Sequence, residues 1–302
     1  MTSANGVETQ NSGRARQWLK NLFDRWGLFP DPDEDSDAYW EHYTGMPAAQ
    51  AVAILRRDMP ADTRIAITTK ADGTGSIQIY ADGQIDDSQE FDLQRQRLGH
   101  GELTVEDQGK GLGRYVLRNE IELFRACGFP GFNMHAGFEA GGYAWARFGF
   151  LPTNLERATL REPIARRYAL VRDLLDSNDR ALLDRVAKIE KPADIWTLAD
   201  ADTDIGPQLQ ALRTGDGPAQ DQYNRIMYAI QKTGYDGIKV VGDLRRRLDA
   251  GQSVYLGRLL LSGTDWAGYL DFSNQAQMER VGRYIGGWSA SPQQSAPVPS
   301  PN

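Results

Sequence analysis

The sequence predicts a mixed α+β fold, in which a mostly antiparallel central sheet is flanked by helices and followed by a mainly helical C-terminal region. Apolar residues alternate with a period of two from Arg64 onwards, and the hairpin signal Asp72-Gly73 separates the first two alternating stretches. An apolar stripe at helical spacing begins at Leu112, directly after a turn with three glycines. After Pro152 the chain alternates Arg and Asp around Leu, which predicts a second, more helical region.

Composition restricts the class of protein. Of the 302 residues, 25% are charged and 40% are apolar, which are values typical of globular chains. The net charge of −7 argues against general nucleic-acid binding, which requires a basic face. No apolar run approaches the ~20 residues of a membrane span, and the first residues lack the pattern of a signal peptide. We therefore expect a cytoplasmic protein without membrane contact. The single cysteine, Cys127, is expected to be a buried structural thiol.

The chain divides into four parts. Residues 1–37 are predicted to hold a disordered tail, an amphipathic helix and an acidic linker, and residues 38–152 to form the domain around the glycine turn. Residues 153–288 are predicted to form an accessory α+β region, and residues 289–302 a second disordered tail rich in Ser, Pro and Gln. The acidic linker has the spacing D-x-D-x-D but lacks the glycine and distal glutamate of a calcium loop, so we expect no metal site.

The amphipathic helix at residues 14–27 carries its apolar residues on one face. That face consists of Trp18, Leu19, Leu22, Phe23 and Trp26. Such a face either docks against the body of the protein or binds a protein partner, and the residues leave both alternatives open.

The elements of the first half follow from periodicity and from glycine and proline. Helices are expected at 39–43, 47–57, 112–126 and 143–148, and strands at 64–69, 76–80, 91–98, 102–105 and 132–136. Pro47 begins its helix, and Gly99 and Gly101 mark a β-bulge.

In the second half, we expect a charged helical region at 164–186, a loop at 199–217 and a helix at 221–232. The stretches 254–261 and 267–272 are expected to form a hairpin, and a last helix at 274–285 to be capped by Ser273 or Asn274.

The glycine turn, Gln108-Gly109-Lys110-Gly111-Leu112-Gly113-Arg114, predicts an anion site. Glycines allow close approach of the backbone, and the first turn of the following helix presents unpaired N–H groups at the positive end of its dipole. Its spacing fits neither the Rossmann G-x-G-x-x-G pattern nor the Walker loop. The alternative to an anion site is a tight turn with a structural role only.

The turn resembles Q-x-x-G-x-G, the acetyl-CoA pyrophosphate loop of the GNAT superfamily of N-acetyltransferases. Gln108, Gly111 and Gly113 occupy its fixed positions, and Gly149-Phe150 matches the family's closing Gly-Phe at the usual interval. The resemblance covers about residues 38–152. It implies acetyl-CoA as acyl donor and direct attack by an amine acceptor, here a small amine or a basic peptide.

The resemblance also assigns residues to roles. The cradle would be formed by Gln108, Gly109, Lys110, Gly111, Leu112, Gly113 and Arg114, and the oxyanion donor would be a backbone N–H of Leu103, Thr104 or Val105. Glu102 is the first candidate for the base that takes the amine proton, and His100 is the second. Each could equally be an ordinary polar strand residue. His135 is expected to be a core or rim histidine.

The proton donor for the thiolate departs from the family pattern. Trp145 stands where the family has a tyrosine, and an indole N–H cannot replace a phenol as an acid. Tyr143 lies about 200° away around a helix, so it substitutes only if that helix begins differently. Two main hypotheses follow: an acyl-CoA-dependent N-acetyltransferase, or a catalytically silent module of the same fold in a binding or structural protein, such as a phage or mobile-element component. A third, less specific one is another nucleotide-binding enzyme with the same turn.

Overall fold

The computed structural model describes residues 36–105, 111–136, 138–232 and 235–286. The two predicted tails, the helix predicted at 14–27 and nearly all of the acidic linker lie outside these residues. The described part is a mixed α+β structure with antiparallel sheets, as the sequence predicts. None of its helices combines the length and the apolar character needed to cross a bilayer.

The described residues form twelve α-helices and seven strands. The helices are α1 (Ser36–Thr44), α2 (Ala48–Leu55), α3 (Leu112–Ala126), α4 (Phe138–Phe148), α5 (Asn154–Val171), α6 (Ser177–Val186), α7 (Asp194–Ala199), α8 (Gly206–Thr214), α9 (Gly217–Gln231), α10 (Tyr235–Asp249), α11 (Leu256–Leu261) and α12 (Gln275–Ile285). The strands are β1 (Arg64–Thr69), β2 (Thr74–Ala81), β3 (Ile85–Asp92), β4 (Arg97–Val105), β5 (Gly131–Ala136), β6 (Leu151–Pro152) and β7 (Trp266–Asp271).

Strands β1 to β4 form an antiparallel meander in chain order. Its first turn contains Gly73 at φ 77°, where Asp72 accepts a hydrogen bond from the Thr74 N–H at 2.9 Å. Alternate residues face a core that α1, α2 and α3 cover, and Trp40 of α1 meets Phe91 of β3 edge to face at 5.6 Å. The residues between them form a polar face on the other side of the sheet.

The second sheet has the order β5-β7-β6, and all of its pairs are antiparallel. Strand β7 comes from the end of the described chain and lies between two strands that precede the helices α5 to α11. The predicted hairpin of 254–261 with 267–272 is therefore wrong. Its first stretch is helix α11, because a short apolar run suits a buried helix as well as a strand. The boundary predicted at residue 152 cuts through one hydrogen-bonded sheet.

Two buried arginines bind the carbonyl groups of neighbouring helices. Arg167 of α5 is 1% exposed, and its Nη1 lies 3.2, 3.0 and 2.7 Å from the carbonyl oxygens of Leu259, Leu260 and Ser262 at the end of α11. Burial lowers the pKa of Arg167 to about 10. Because the carbonyls at a helix C-terminus lack partners within the helix, a guanidinium there satisfies them and opposes the helix dipole.

Arg280 of α12 does the same for two other helices. Its Nε donates to the Ala146 carbonyl in α4 at 3.2 Å, and its Nη2 to the Trp196 carbonyl in α7 at 3.3 Å. Its Nη1 also pairs with Asp200 at 2.8 Å. These bonds fix α4 between the helical region and α12.

Several predicted bounds need correction. The strand expected at 91–98 is wrong, because this stretch holds the end of β3, a turn at 93–96 and the start of β4. The strand expected at 102–105 is the end of β4, and the loop expected at 199–217 contains helix α8. Helix α8 begins with a proline in its first turn and buries Leu209, and the Asp-, Gly- and Thr-rich residues around it hide this pattern in the sequence. The helix expected at 164–186 is two helices, α5 and α6, and the one expected at 143–148 begins five residues earlier.

Other predictions are confirmed. Helix α3 has the predicted bounds, Pro47 lies at the N-terminus of α2, and Asn274 caps α12 by accepting from the Gln277 N–H at 3.2 Å. Cys127 is a free, largely buried thiol, and burial raises its pKa to about 12, so it is not a reactive thiolate.

Candidate functional site

The candidate site lies where β4 ends and α3 begins. The described chain leaves β4 at Val105 and resumes at Gly111, which caps α3 in the left-handed region at φ 79°. A Cβ on Gly113 would lie 3.2 Å from Val105 Cγ2, a tight contact, so a glycine there helps the helix to approach the strand closely. Both glycines therefore have a structural role, which a simple turn would also explain. Gln108, Gly109 and Lys110 lie outside the described residues.

Arg114 distinguishes an anion site from a simple turn. It lies in the first turn of α3, where its Nη2 is 3.2 Å from the position of a Cβ built on Gly111. Its buried Nε has no hydrogen-bond partner, and the side chain forms no ion pair within the described chain. One turn later, Arg118 is paired with Asp58 at 2.8 Å. Among the described residues no carboxylate pairs with Arg114, so this part of the chain places a cation next to the N–H groups of a helix N-terminus.

Helices α4 and α12 bring further polar side chains towards this helix terminus. The Nη1 of Arg147 donates to the Tyr143 hydroxyl at 2.7 Å and lies 3.3 Å from Asp202. Tyr284 of α12 stacks edge to face on Phe148 with 3.9 Å between ring centroids, and it is 39% exposed. Burial raises the pKa of the Tyr284 phenol, although the positive charges of Arg147 and Arg114 oppose the rise.

Tyr143 and Trp145 face different surroundings, as the predicted angle between them requires. The Trp145 ring packs on Phe148 and Phe150 at centroid distances of 5.4 and 5.0 Å, so it belongs to the aromatic core. Tyr143 is 9% exposed and has its hydroxyl against Arg147. Since Arg147 donates to the hydroxyl oxygen, the phenol proton remains available to another acceptor.

A gap separates the two sheets beside the site. Strands β4 and β5 are neighbours but share no ladder among the described residues, and the Asn133 side chain of β5 reaches the Leu98 carbonyl of β4 at 3.0 Å. In a strand that is paired on one edge only, alternate N–H groups point to the unpaired edge. Within 103–105, the predicted oxyanion donors, such groups would face β5.

A β-bulge in β4 confirms the prediction made from Gly99 and Gly101. Gln89 lies opposite Gly101 and Phe91 opposite Leu98, so β4 has one residue more than β3 in this interval. The buried Gln89 side chain fills the space over the bulge and donates to the Gly99 carbonyl at 3.4 Å.

The predicted bases are only partly described. The backbone of Glu102 pairs with Ser88, whereas the side chains of Glu102 and His100 lie outside the described part. His135 lies on β5, across the gap from β4. It is at the rim rather than in the core, with a side chain 42% exposed, and its Nε2 is 2.7 Å from Asp265 Oδ1.

Beneath β4 lies a buried pair of carboxyl groups that the sequence did not indicate. Asp87 of β3, opposite Leu103, is hydrogen-bonded to Glu120 of α3. Each carboxyl also has a buried oxygen with no hydrogen-bond partner. Burial raises the pKa of Asp87 to about 7, and burial with the negative charge of Asp87 raises the pKa of Glu120 well above its usual value. The folded state therefore keeps protons that the unfolded chain loses above about pH 4.

Because the folded state binds more protons in this range, the free energy of unfolding should fall as the pH rises from 5 to 8. Glu120→Gln keeps the shape and can donate to Asp87, so it should stabilise the protein at pH 8 by roughly 2 kcal/mol and reduce the slope. Urea unfolding at both pH values measures this. An equal slope in the variant would exclude the pair as its cause.

Sequence reasoning missed the residues that other elements contribute. Arg147, Tyr284 and Asp265 reach the site from α4, from α12 and from the residue before β7, and no local pattern connects these segments. Comparison of the chain with known protein families, with curated proteins and with solved structures found no match.

Proposed function

We propose that this chain is an acyl-CoA-dependent N-acetyltransferase with a GNAT-like fold. The observation that carries the proposal is Arg114 at the N-terminus of α3, whose buried Nε has no hydrogen-bond partner and whose guanidinium has no ion-pair partner among the described residues. An unpaired buried donor is costly unless a ligand satisfies it, and a phosphate at a helix N-terminus does so. The bulge in β4, the gap between β4 and β5 and the crossover through α3 support the same assignment.

Each part of the site has a role in this proposal. The N–H groups at the start of α3, together with Arg114 and the residues 108–110, bind the pyrophosphate. A backbone N–H among Leu103, Thr104 and Val105 stabilises the developing oxyanion. Acetyl-CoA supplies the thioester, Tyr143 gives a proton to the leaving thiolate, and Glu102, His100 or the His135–Asp265 pair takes the proton of the amine.

A thermal-shift titration with acetyl-CoA, CoA and NAD tests the binding step. At 100 times its dissociation constant, a specific ligand should stabilise the protein by about 2.7 kcal/mol. We expect stabilisation by both CoA compounds and none by NAD. Arg114→Gln should weaken CoA binding about tenfold, because a charge-assisted hydrogen bond contributes about 1.5–3 kcal/mol.

Arg118→Gln is the matched control. Arg118 and Arg114 both lie 5.3 Å from the Tyr115 ring centroid, but Arg118 already has a carboxylate partner in Asp58. Its removal should leave CoA affinity unchanged. Equal affinity in Arg114→Gln and in the unaltered protein, or no stabilisation by CoA, would refute the proposed pyrophosphate site.

The second candidate is a silent module that binds CoA without turnover. The packing of Trp145 on Phe148 and Phe150 favours it, because this indole is part of the core and cannot act as the family's tyrosine does. Release of free thiol from acetyl-CoA in the presence of amines decides between the two. Release that depends on both the amine and Tyr143 supports the enzyme, whereas binding without release supports the module.

A further inference from the structure

A cleft of about 530 Å³ opens on the polar face of the four-stranded sheet, the side that α1, α2 and α3 leave uncovered. Its volume lies within the range of about 300–1,000 Å³ typical of small-molecule sites. The polar lining comes from the same end of all four strands. It includes Thr68, Lys70, Ser76, Glu90, Asp92 and Arg97.

Three charged side chains in this cleft are candidates for ligand contacts. Lys70, Glu90 and Arg97 form no ion pair and no side-chain hydrogen bond in the described residues, although Lys70 also attracts the nearby Asp72 carboxylate. Asp92 lies directly opposite Arg97 in the β3–β4 register but binds the side chain of Arg95 at 2.7 Å and its N–H at 2.9 Å. The Thr68 and Ser76 hydroxyls likewise have no side-chain hydrogen bond within the part of the chain that the structure describes. The cleft therefore offers one carboxylate, two cations and two hydroxyls to a ligand.

These charges are ordered along the strands. Glu90 lies beside the bulge in β4, where a Cβ built on Gly99 would be 3.2 Å from its Oε2. The C-terminal end of β4 leads to the N-terminus of α3 and Arg114. Glu90 lies nearer to this end than Lys70 and Arg97 do. The negative end of the cleft thus faces the proposed reaction centre, and the positive end faces away from it.

We propose that this cleft binds the acceptor and that the acceptor is a zwitterion, a free amino acid or short peptide with an amine at one end and a carboxylate at the other. Glu90 attracts the ammonium next to the bulge, while Arg97 and Lys70 bind the carboxylate, with a bidentate geometry available to Arg97. Acceptors that carry only positive charge leave both cations unmatched, so the cleft selects against them.

This inference rests on the proposed function for its chemistry. The amine nitrogen forms a bond to the acetyl carbon, the C–S bond breaks, the amine proton passes to the base, and the thiolate receives a proton from Tyr143. The cleft itself contributes position: it binds the acceptor beside the start of β4, with the amine end towards the C-terminal end of that strand.

Binding without acetyl-CoA tests the cleft separately from the reaction. The probes are glycylglycine, its C-terminal amide and its N-acetyl derivative, each measured with the full chain by saturation-transfer NMR. We expect glycylglycine to bind about tenfold more tightly than either derivative, since each derivative loses one charge contact, equivalent to 1.4 kcal/mol. Equal affinity for all three would overturn the proposal.

Variants assign each charge. Arg97→Gln should remove the preference for glycylglycine over its amide, and Glu90→Gln the preference over its N-acetyl form. Arg95→Gln is the control, because Arg95 belongs to the same turn but is 71% exposed and already paired with Asp92. Unchanged preferences in Glu90→Gln and Arg97→Gln, with CoA binding retained, would refute the cleft alone. If the unaltered protein binds glycylglycine but does not bind CoA, the transferase proposal is refuted and the cleft proposal is retained.

Discussion

Gly111→Asp should abolish CoA binding, with an affinity loss of at least about 100-fold. A Cβ at residue 111 points at the Arg114 guanidinium, 3.2 Å from its Nη2. The new carboxylate would pair with this cation and repel a pyrophosphate from the N–H groups of α3, and 2.8 kcal/mol corresponds to a factor of about 100. Isothermal titration of the variant with CoA measures the loss.

Gly111→Asn is the control for backbone strain. Gly111 has φ 79°, a conformation that asparagine and aspartate both tolerate better than other residues, so the two variants share the strain and differ in charge. Asn should therefore retain most of the CoA affinity. If Gly111→Asn and Gly111→Asp weaken CoA binding equally, the loss is due to the changed backbone shape of the turn. That result would refute the binding of an anion beside Arg114.

Arg167→Ala should produce the largest loss of stability, about 3–5 kcal/mol. It would leave the carbonyls of Leu259, Leu260 and Ser262 buried without their donor, and each buried unsatisfied group costs about 1–3 kcal/mol. Since domains are stable by only about 5–15 kcal/mol, a large unfolded fraction is expected at physiological temperature. Urea denaturation followed by circular dichroism measures the change.

The neighbouring Arg166 provides the comparison. It pairs with Glu162 on the surface of the same helix, and its side chain is 54% exposed. Because an exposed i,i+4 pair contributes about 0.3–0.5 kcal/mol, Arg166→Ala should change the free energy of unfolding very little. Similar losses in the two variants would mean that helix propensity, rather than the capping of α11, determines the effect at residue 167.

Local patterns were sufficient where an element and its partners are close in sequence. The period of two, Asp72-Gly73 and the stripe of α3 predicted β1, β2, the end of β4 and the helix that covers the meander. They did not predict β3, because its polar run 86–90 hides the alternation. The position of β7 could not be predicted in this way, because it depends on pairing with β5 and β6 across a helical region. The apolar run Leu256–Leu261 is compatible with a buried strand and with a buried helix, and only its packing against other elements decides between the two.

The same distinction applies to the candidate site. The glycine turn and Arg114 are contiguous, so the sequence alone indicated an anion site there. The surroundings of Tyr143 depend on how far α4 extends and on contacts with Arg147 and Tyr284, which only the folded chain provides. The cleft with Glu90 and Arg97 forms only when four strands pair in the correct register, and no sequence motif predicts that register.

The late arrival of β7 has a consequence for synthesis of the chain. Strand β5 and strand β6 have no other ladder partner in the described chain, so both remain unpaired until residues 266–271 have left the ribosome. At about 5–20 residues per second, the intervening helices take on the order of 10 s to synthesise. During that time an apolar strand edge is exposed to other nascent chains. The region 38–152, which contains the glycine turn, therefore depends on the C-terminal segment to complete its own sheet.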